Sequence, residues 1–220
     1  MEIPEEVAVM TLPSATLFPQ ALLPLYIFEP RYRKMLADAL KGERMFCVAM
    51  QKPSHSRESP AVIAGLGLIR VAVNNPDGTS HLILQGITRV ELQEAVRYRP
   101  YRSHRIKPLQ APPTDNVMVD ALLAKVRDLV SERIQLGFPP PSTPIGAGKK
   151  KEPTSIREIV GYLDKLNDPD QVADLVSCAL LPDAAERQTI LETIEIEPRL
   201  KHLIHFLMAE IRLNRKKKKA

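Results

Sequence analysis

The spacing of the apolar residues changes once along this chain of 220 residues, close to Pro112. Before that position, apolar residues form short runs or alternate with polar ones, which is the pattern of β-strands. After it they recur every three or four residues, which is the pattern of helices that bury one face. We therefore predict an α+β fold, with a β-barrel subdomain over residues 1–112, an α-helical bundle over 113–214 and a basic disordered tail over 215–220.

The first part contains about six or seven predicted strands and a single helix. Asn74–Gly78 is a strong turn signal, so a hairpin is expected around it, and Gly65 and Gly67 are expected to permit a bulge in the strand before the turn. A set of short strands with one helix favours closure into a barrel, because closure removes exposed strand edges. The clearest predicted strands are Met45–Met50, Ala61–Val73, 81–87, 90–96 and 101–106.

The second part contains about four or five predicted helices. The first covers about residues 116–136, and a segment rich in proline and glycine, residues 137–153, separates it from the others. The last begins near Pro198 and carries one apolar face. Three further helix starts each combine a capping residue with an acid or amide three positions later, namely Ser155 with Glu158, Asp168 with Gln171, and Asp183 with Glu186.

The opening of the chain is apolar but is interrupted by prolines at positions 13, 19, 24 and 30. Proline cannot donate a backbone hydrogen bond and keeps the residue before it extended, so residues 17–18 and 22–23 are predicted as short edge strands or turns. After Pro30 the apolar spacing becomes helical and Gly42 suits a helix end, so a helix is predicted over 31–41.

This opening is similar to that of the LON substrate-binding domain, the N-terminal domain of the ATP-dependent protease Lon. The matching residues are Leu17-Phe18-Pro19, Leu23-Pro24-Leu25 and Ile27 to Tyr32. The resemblance continues in the strand Leu82 to Val90, with Gly86 and Arg89 at matching positions, and in the helices of 168–181 and 184–200. It covers about residues 10–214, and it implies that the barrel is of the PUA-like type.

In the LON family this domain is a recognition module for unfolded or degron-bearing polypeptides, and the resemblance implies the same function here. The ATPase and protease modules of Lon are missing, so we expect a stand-alone protein without enzymatic activity, able to act as an adaptor for a separate protease or chaperone. Exposed apolar side chains in a groove between barrel and bundle would hold the polypeptide. The candidate contact residues are Phe18, Leu22, Tyr26, Phe28, Arg31 and Tyr32.

Each of these six residues has a structural alternative. Large apolar residues in strands usually belong to the core. Arg31, like Arg89, could instead pair with Glu29 or with backbone carbonyl groups. Burial of the aromatic side chains is the observation that separates core residues from contact residues.

No motif predicts catalysis, a metal site or a bound cofactor. The glycine-lysine cluster at 146–150 lacks the first glycine and the serine or threonine of a phosphate-binding loop. His202 and His205 can share a helix face, but a metal site usually needs a third ligand. The scattered histidines leave an enzyme of unrecognised type as an open alternative. Cys47 and Cys178 are expected to be reduced and buried.

The formal net charge is +5, and the last six residues supply five positive charges, so the rest of the chain sums to zero. We expect this tail to attract polyanions without sequence preference. Basic and aromatic residues alternate in Arg97–Arg102, and together with a PUA-like barrel this leaves an RNA-associated protein as the alternative function. The sequence has no membrane-spanning run and no basic, apolar leader, so a cytoplasmic location is expected.

Overall fold

The computed structural model describes residues 2–53, 58–112, 116–137, 161, 163 and 165–217. The chain divides into two compact units, residues 1–110 and 111–220, which we call the barrel and the bundle. The division falls where the apolar spacing changes. Among the described helices, none is both long enough and apolar enough to cross a membrane.

Six strands and one helix form the barrel: β1 Glu6–Leu12, β2 Leu22–Ile27, α1 Pro30–Ala39, β3 Met45–Met50, β4 Ile63–Asn74, β5 Ser80–Arg97 and β6 Arg102–Leu109. Strand β5 is 18 residues long. It joins the two strands predicted at 81–87 and 90–96, because Arg89 is buried and continues the strand instead of ending it.

The pairing of five strands closes on itself. Strand β1 pairs with β3 in parallel and with β6 antiparallel, and the antiparallel pairs β3–β4, β4–β5 and β5–β6 complete the circuit. Strand β2 lies outside this circuit and pairs with the first half of β5. One apolar core fills the barrel, with fully buried side chains such as Phe46, Leu66 and Leu84. The predicted fold class is therefore confirmed.

Two glycines allow the backbone of residues 17 and 18 to lie directly on the sheet. A Cβ atom at Gly65 would fall 2.0 Å from the carbonyl oxygen of Leu17, and a Cβ at Gly86 would fall 1.9 Å from that of Phe18. The pairing of β4 with β5 also shifts in register between Leu66 and Gly67, where the bulge was expected. These glycines are needed for the close approach of the chain as well as for the bulge.

The bundle contains four described helices: α2 Val117–Gln135, α3 Pro169–Leu180, α4 Ala184–Glu192 and α5 Ile196–Lys217. Asp168 and Asp183 cap α3 and α4 through their side chains, as predicted. The predicted helix start at Ser155 lies outside the described residues. Helix α5 passes the predicted start of the tail at residue 215, and Arg215 pairs with Glu132 at 2.7 Å. This corrects the prediction of disorder for residues 215–217.

Two buried arginines connect the helices. Arg133 of α2 places two guanidinium nitrogens 2.9 Å from the two carboxylate oxygens of Glu210 on α5. Arg199 of α5 lies 2.6 Å from Asp170 and 3.6 Å from Asp174, both on α3. It also donates to the carbonyl of Thr193, at 2.7 Å, and to that of residue 194. The ion pairs of Arg199 therefore join the two helical segments that carry the resemblance to the LON family.

Candidate functional site

The outer face of β2 carries exposed apolar side chains. Side chains alternate along a strand, so Leu22, Pro24 and Tyr26 point outward while their neighbours point into the barrel. Leu22 is 61 % exposed, Tyr26 is 48 % exposed, and Phe28, just after the strand, is 59 % exposed. These three side chains form the edge of a larger apolar surface.

The strand register extends this surface across β5 and β4. Pro24 lies opposite Ile83 of β5, and Ile83 lies opposite Val71 of β4. Val73 follows two residues later on β4, opposite His81. All three aliphatic side chains are exposed. We call the set the apolar face, and its members are Leu22, Pro24, Tyr26, Phe28, Val71, Val73 and Ile83.

Aromatic contacts order one side of the apolar face. The ring of Tyr26 lies 5.8 Å from that of Phe28 and 4.8 Å from that of His81, measured between ring centroids. These spacings are typical of stacked or offset aromatic pairs. Tyr26 is therefore held between strand neighbours while about half of its surface faces solvent.

Two of the predicted contact residues belong to the core instead. Phe18 is fully buried, and Tyr32 is 4 % exposed. The Tyr32 hydroxyl donates to the carbonyl of Thr11, at 3.1 Å, and accepts from its backbone N–H, at 3.2 Å. Burial raises the pKa of Tyr32 to about 12. Tyr32 therefore fixes α1 on β1, and its burial with that of Phe18 corrects the prediction for both residues.

Arg31 is only partly exposed, and its charge is already paired. Its Nε lies 2.9 Å from the Glu29 carboxylate, and its guanidinium also bonds to Glu58. The guanidinium carbon lies 4.3 Å from the centre of the Tyr32 ring. These contacts match the structural alternative for Arg31, so Leu22, Tyr26 and Phe28 are the predicted contact residues that share one exposed surface.

Val71, Val73 and Ile83 were not predicted from the sequence as contact residues. Their signal is local, since Ile83 lies between two buried leucines and makes residues 82–84 of β5 apolar on both faces, although His81 and Gln85 on the same outer side are polar. A strand that is apolar on both faces usually has both faces covered. At Ile83, however, the outer face of β5 is exposed to solvent. This face is therefore a candidate surface for binding a partner.

The described residues offer little support for a metal site or a reactive thiol. Within the described ranges, no three His, Cys, Asp or Glu side chains are grouped as a metal ion would require. His202 and His205 are both exposed on α5. Both cysteines are free thiols, Cys47 buried and Cys178 partly buried. Burial raises the pKa of each thiol, which keeps it protonated and weakly nucleophilic.

Comparison with known proteins identifies the family. The family model described as the ATP-dependent protease La (LON) substrate-binding domain matches residues 6–209. The Lon protease of Dictyoglomus thermophilum is 23 % identical over 215 residues, which cover 96 % of this chain and 25 % of that protease. The Lon protease of Methylocella silvestris is 27 % identical over 203 residues, 90 % of this chain and 23 % of the relative. The chain thus spans about a quarter of the length of these relatives.

Two solved structures share the fold. The N-terminal domain of the Mycobacterium avium complex Lon protease aligns with a TM-score of 0.71 and 16 % identity, covering 92 % of this chain and 98 % of that one. A Lon N-terminal domain protein from Xanthomonas campestris aligns with a TM-score of 0.63 and 19 % identity, covering 91 % and 98 %. The family model matches nearly the whole length of the chain, and the strand circuit and helical bundle agree with it. The chain therefore belongs to the LON substrate-binding domain family.

Proposed function

We propose that this protein is a non-catalytic, cytoplasmic recognition module that binds unfolded or degron-bearing polypeptides on the apolar face of the barrel. The family is described as a substrate-binding domain. The observation that carries the proposal is the apolar face itself, because half of the twelve large apolar side chains that are exposed in the described ranges lie on it. An exposed apolar surface of this kind is typical of a site for a protein partner.

The size of the apolar face sets the expected affinity. Covering it would remove on the order of 400 Å² of apolar surface from water, which corresponds to about 10 kcal/mol at about 25 cal/mol per Å². Loss of motion on binding costs at least about 4 kcal/mol. The difference is at most about 6 kcal/mol, which corresponds to a Kd of tens of micromolar at the tightest. Such weak binding suits a module that has to release its polypeptides.

The backbone of β2 indicates how the polypeptide lies. Gly86 of β5 donates to the carbonyl of Ala21, at 2.9 Å, so residues 22, 24 and 26 turn their backbone groups toward the free edge. Pro24, in the middle of that edge, has no N–H to donate. An added strand would therefore lack a central hydrogen bond, and the polypeptide lies across the apolar face instead of extending the sheet.

The same proposal assigns the protein an adaptor role. A bound polypeptide on the barrel would be presented to a separate protease or chaperone. The support is that the chain matches the recognition part, about a quarter, of Lon proteases. Association of the purified protein with a protease, increased by an unfolded polypeptide, would test this role.

Binding is tested with a fluorescently labelled protein kept unfolded by reduction and alkylation. The variant Leu22→Ser/Phe28→Ser removes two exposed side chains of the apolar face, and we expect its Kd to rise at least about tenfold. The matched control is Val62→Ser/Val96→Ser, which changes two exposed apolar residues elsewhere on the barrel. An equal loss in both variants, or no binding by the unaltered protein at 200 micromolar (about five times the tightest Kd derived above), would contradict the proposal.

A further inference from the structure

We propose a second binding site on the barrel, for single-stranded nucleic acid, at the turn between β5 and β6. It is separate from the apolar face and goes beyond polypeptide recognition. We call it the basic patch. Its residues are Lys34, Lys41, Arg97, Tyr98, Arg99 and Arg102.

Two of the three arginines of the patch stack on tyrosine rings. The guanidinium carbon of Arg97 lies 4.5 Å from the centre of the Tyr101 ring, and that of Arg102 lies 5.2 Å from the centre of the Tyr98 ring. The exposed guanidinium of Arg97, stacked in this way, keeps N–H groups at its edge, where they can donate to phosphate. Arg102 instead bonds to Glu58 and positions the Tyr98 ring. Tyr98 remains 65 % exposed although Arg102 covers one side of its ring.

Helix α1 and the turn after it add Lys34 and Lys41 to the same patch. The Tyr101 hydroxyl donates to the Asp38 carboxylate, at 2.9 Å, and Lys34 bonds to the same carboxylate at 2.7 Å. These hydrogen bonds, with the nearby charge of Lys41, hold the pKa of Asp38 below its usual range. One carboxylate thus faces several cations at the base of the turn.

The patch carries excess positive charge. Of its five cations, Arg102 pairs with Glu58 and Lys34 pairs with Asp38. Arg97 and Arg99 are exposed and form no ion pair with an acidic residue in the described part of the chain. The excess also appears in the whole barrel, whose 14 Lys and Arg exceed its 10 Asp and Glu. This charge is independent of the lysine run at the C-terminus.

The chemistry of the patch selects the ligand. Arginine edges bind phosphate groups, and an exposed tyrosine ring offers a surface on which a base can stack. A duplex keeps its bases stacked inside the helix, and an acidic peptide has no bases to place on the ring. Single-stranded RNA or DNA uses both features at once.

The site is tested with the full chain and a labelled single-stranded 20-nucleotide oligomer of mixed sequence, titrated from 50 to 300 mM salt. For Arg97→Gln/Arg99→Gln we expect about tenfold weaker binding and a salt slope reduced by about 1.4, since each contact to a single strand contributes about 0.7. For Tyr98→Ala we expect at least about fivefold weaker binding with an unchanged slope, because a base loses its stacking partner.

Two control variants make the test specific. Arg70→Gln/Lys52→Gln removes two positive charges elsewhere on the barrel, and a quadruple change of Lys216–Lys219 to Gln removes charge from the C-terminus; both should retain binding within about threefold. The proposal is overturned if the Arg70 and Lys52 pair weakens binding as much as the Arg97 and Arg99 pair, if the C-terminal change abolishes binding, or if Tyr98→Ala has no effect. Equal competition by a poly-glutamate peptide of matched charge would also overturn it. None of these results depends on the apolar face.

Discussion

Removing the guanidinium group of Arg199 should lower the free energy of unfolding of the bundle more than a comparable substitution on the bundle surface. In Arg199→Met, the carboxylate of Asp174, itself 4 % exposed, loses this cation, and the carbonyls of Thr193 and residue 194 lose their donor. Removal of one partner from a buried ion pair typically costs about 3–5 kcal/mol. With a urea dependence of about 1.5–2 kcal/mol per M for a unit of this size, the midpoint should fall by about 2 M.

The composition of the chain allows the two units to be followed separately. The protein has five tyrosines and no tryptophan, and four of the tyrosines lie in the barrel. Ellipticity at 222 nm reports mainly on the helices of the bundle, while tyrosine fluorescence reports mainly on the barrel. Arg199→Met should shift the first signal much more than the second.

Two further variants show whether the ion pair is the cause. Arg199→Lys keeps the charge but cannot reach carboxylate and carbonyl groups together, so an intermediate shift is expected. Asp170→Asn changes the partner whose side chain is 43 % exposed and should cost no more than about 1 kcal/mol. A midpoint shift below about 0.5 M for Arg199→Met, or one as large for Asp170→Asn, would refute the reasoning.

Two other predictions concern the barrel. Because burial raises the pKa of Tyr32 to about 12, above the ordinary value of 10.0, folding favours the neutral phenol; this stability is fully present below pH 10 and is lost as the pH rises toward 12. Tyr32→Phe should reduce that alkaline dependence, measured by urea unfolding between pH 8 and about 11.5, but not abolish it, because burial also raises the pKa of the Cys47 and Cys178 thiols. The variant should cost about 1–2 kcal/mol at pH 8 for the lost hydrogen bonds to Thr11. An unchanged dependence would contradict the role of Tyr32. Pro24→Thr should restore an N–H at the free edge of β2 and increase self-association at about 100 micromolar, measured by sedimentation velocity; a variant that stays as monodisperse as the unaltered protein would show that Pro24 does not protect this edge.

Much of the fold follows from local patterns. Short apolar runs and alternation predicted the strands from Met45 onward, and the strand Met45–Met50 has the predicted bounds. Strand β1, Glu6–Leu12, was not predicted. Asp168 and Asp183 could be recognised as caps because the groups they bond lie two or three residues away. The length of β5 could not be predicted in this way. Its centre contains Arg89, whose guanidinium carbon lies 5.9 Å from the ring of Phe18, a contact between residues far apart in sequence.

The same limit explains the errors at the candidate site. Phe18 and Phe28 have similar neighbours in sequence, yet one is buried and the other is exposed. The difference arises because Gly65 and Gly86, far along the chain, leave room for the backbone of residues 17 and 18. Val71 joined the apolar face only through a register shift between Ile69 and Val71, which the sequence does not show.

The positive net charge of the barrel is also not apparent from the net charge of the whole chain. Residues 1–214 are neutral as a whole, but the barrel has 14 basic and 10 acidic residues, whereas residues 111–214 have 12 basic and 16 acidic ones. The two contributions, +4 and −4, cancel. Only the division into units shows that the barrel is basic without the C-terminal lysines.

One strand carries both proposed surfaces. The first residues of β5 pair with β2 and β4 in the apolar face, and its last residue, Arg97, begins the basic patch. Ile83 and Arg97 are fourteen residues apart on this strand, which corresponds to at most about 46 Å at about 3.3 Å per residue. The two residue sets have no member in common, so a polypeptide on the apolar face and a nucleic-acid strand on the basic patch would touch different side chains. Saturation with one ligand should leave the affinity for the other within about twofold, because no charged residue of the patch belongs to the apolar face. Direct competition between them would mean that a single surface binds both, and it would contradict the separation of the sites while leaving each variant's own loss of affinity interpretable.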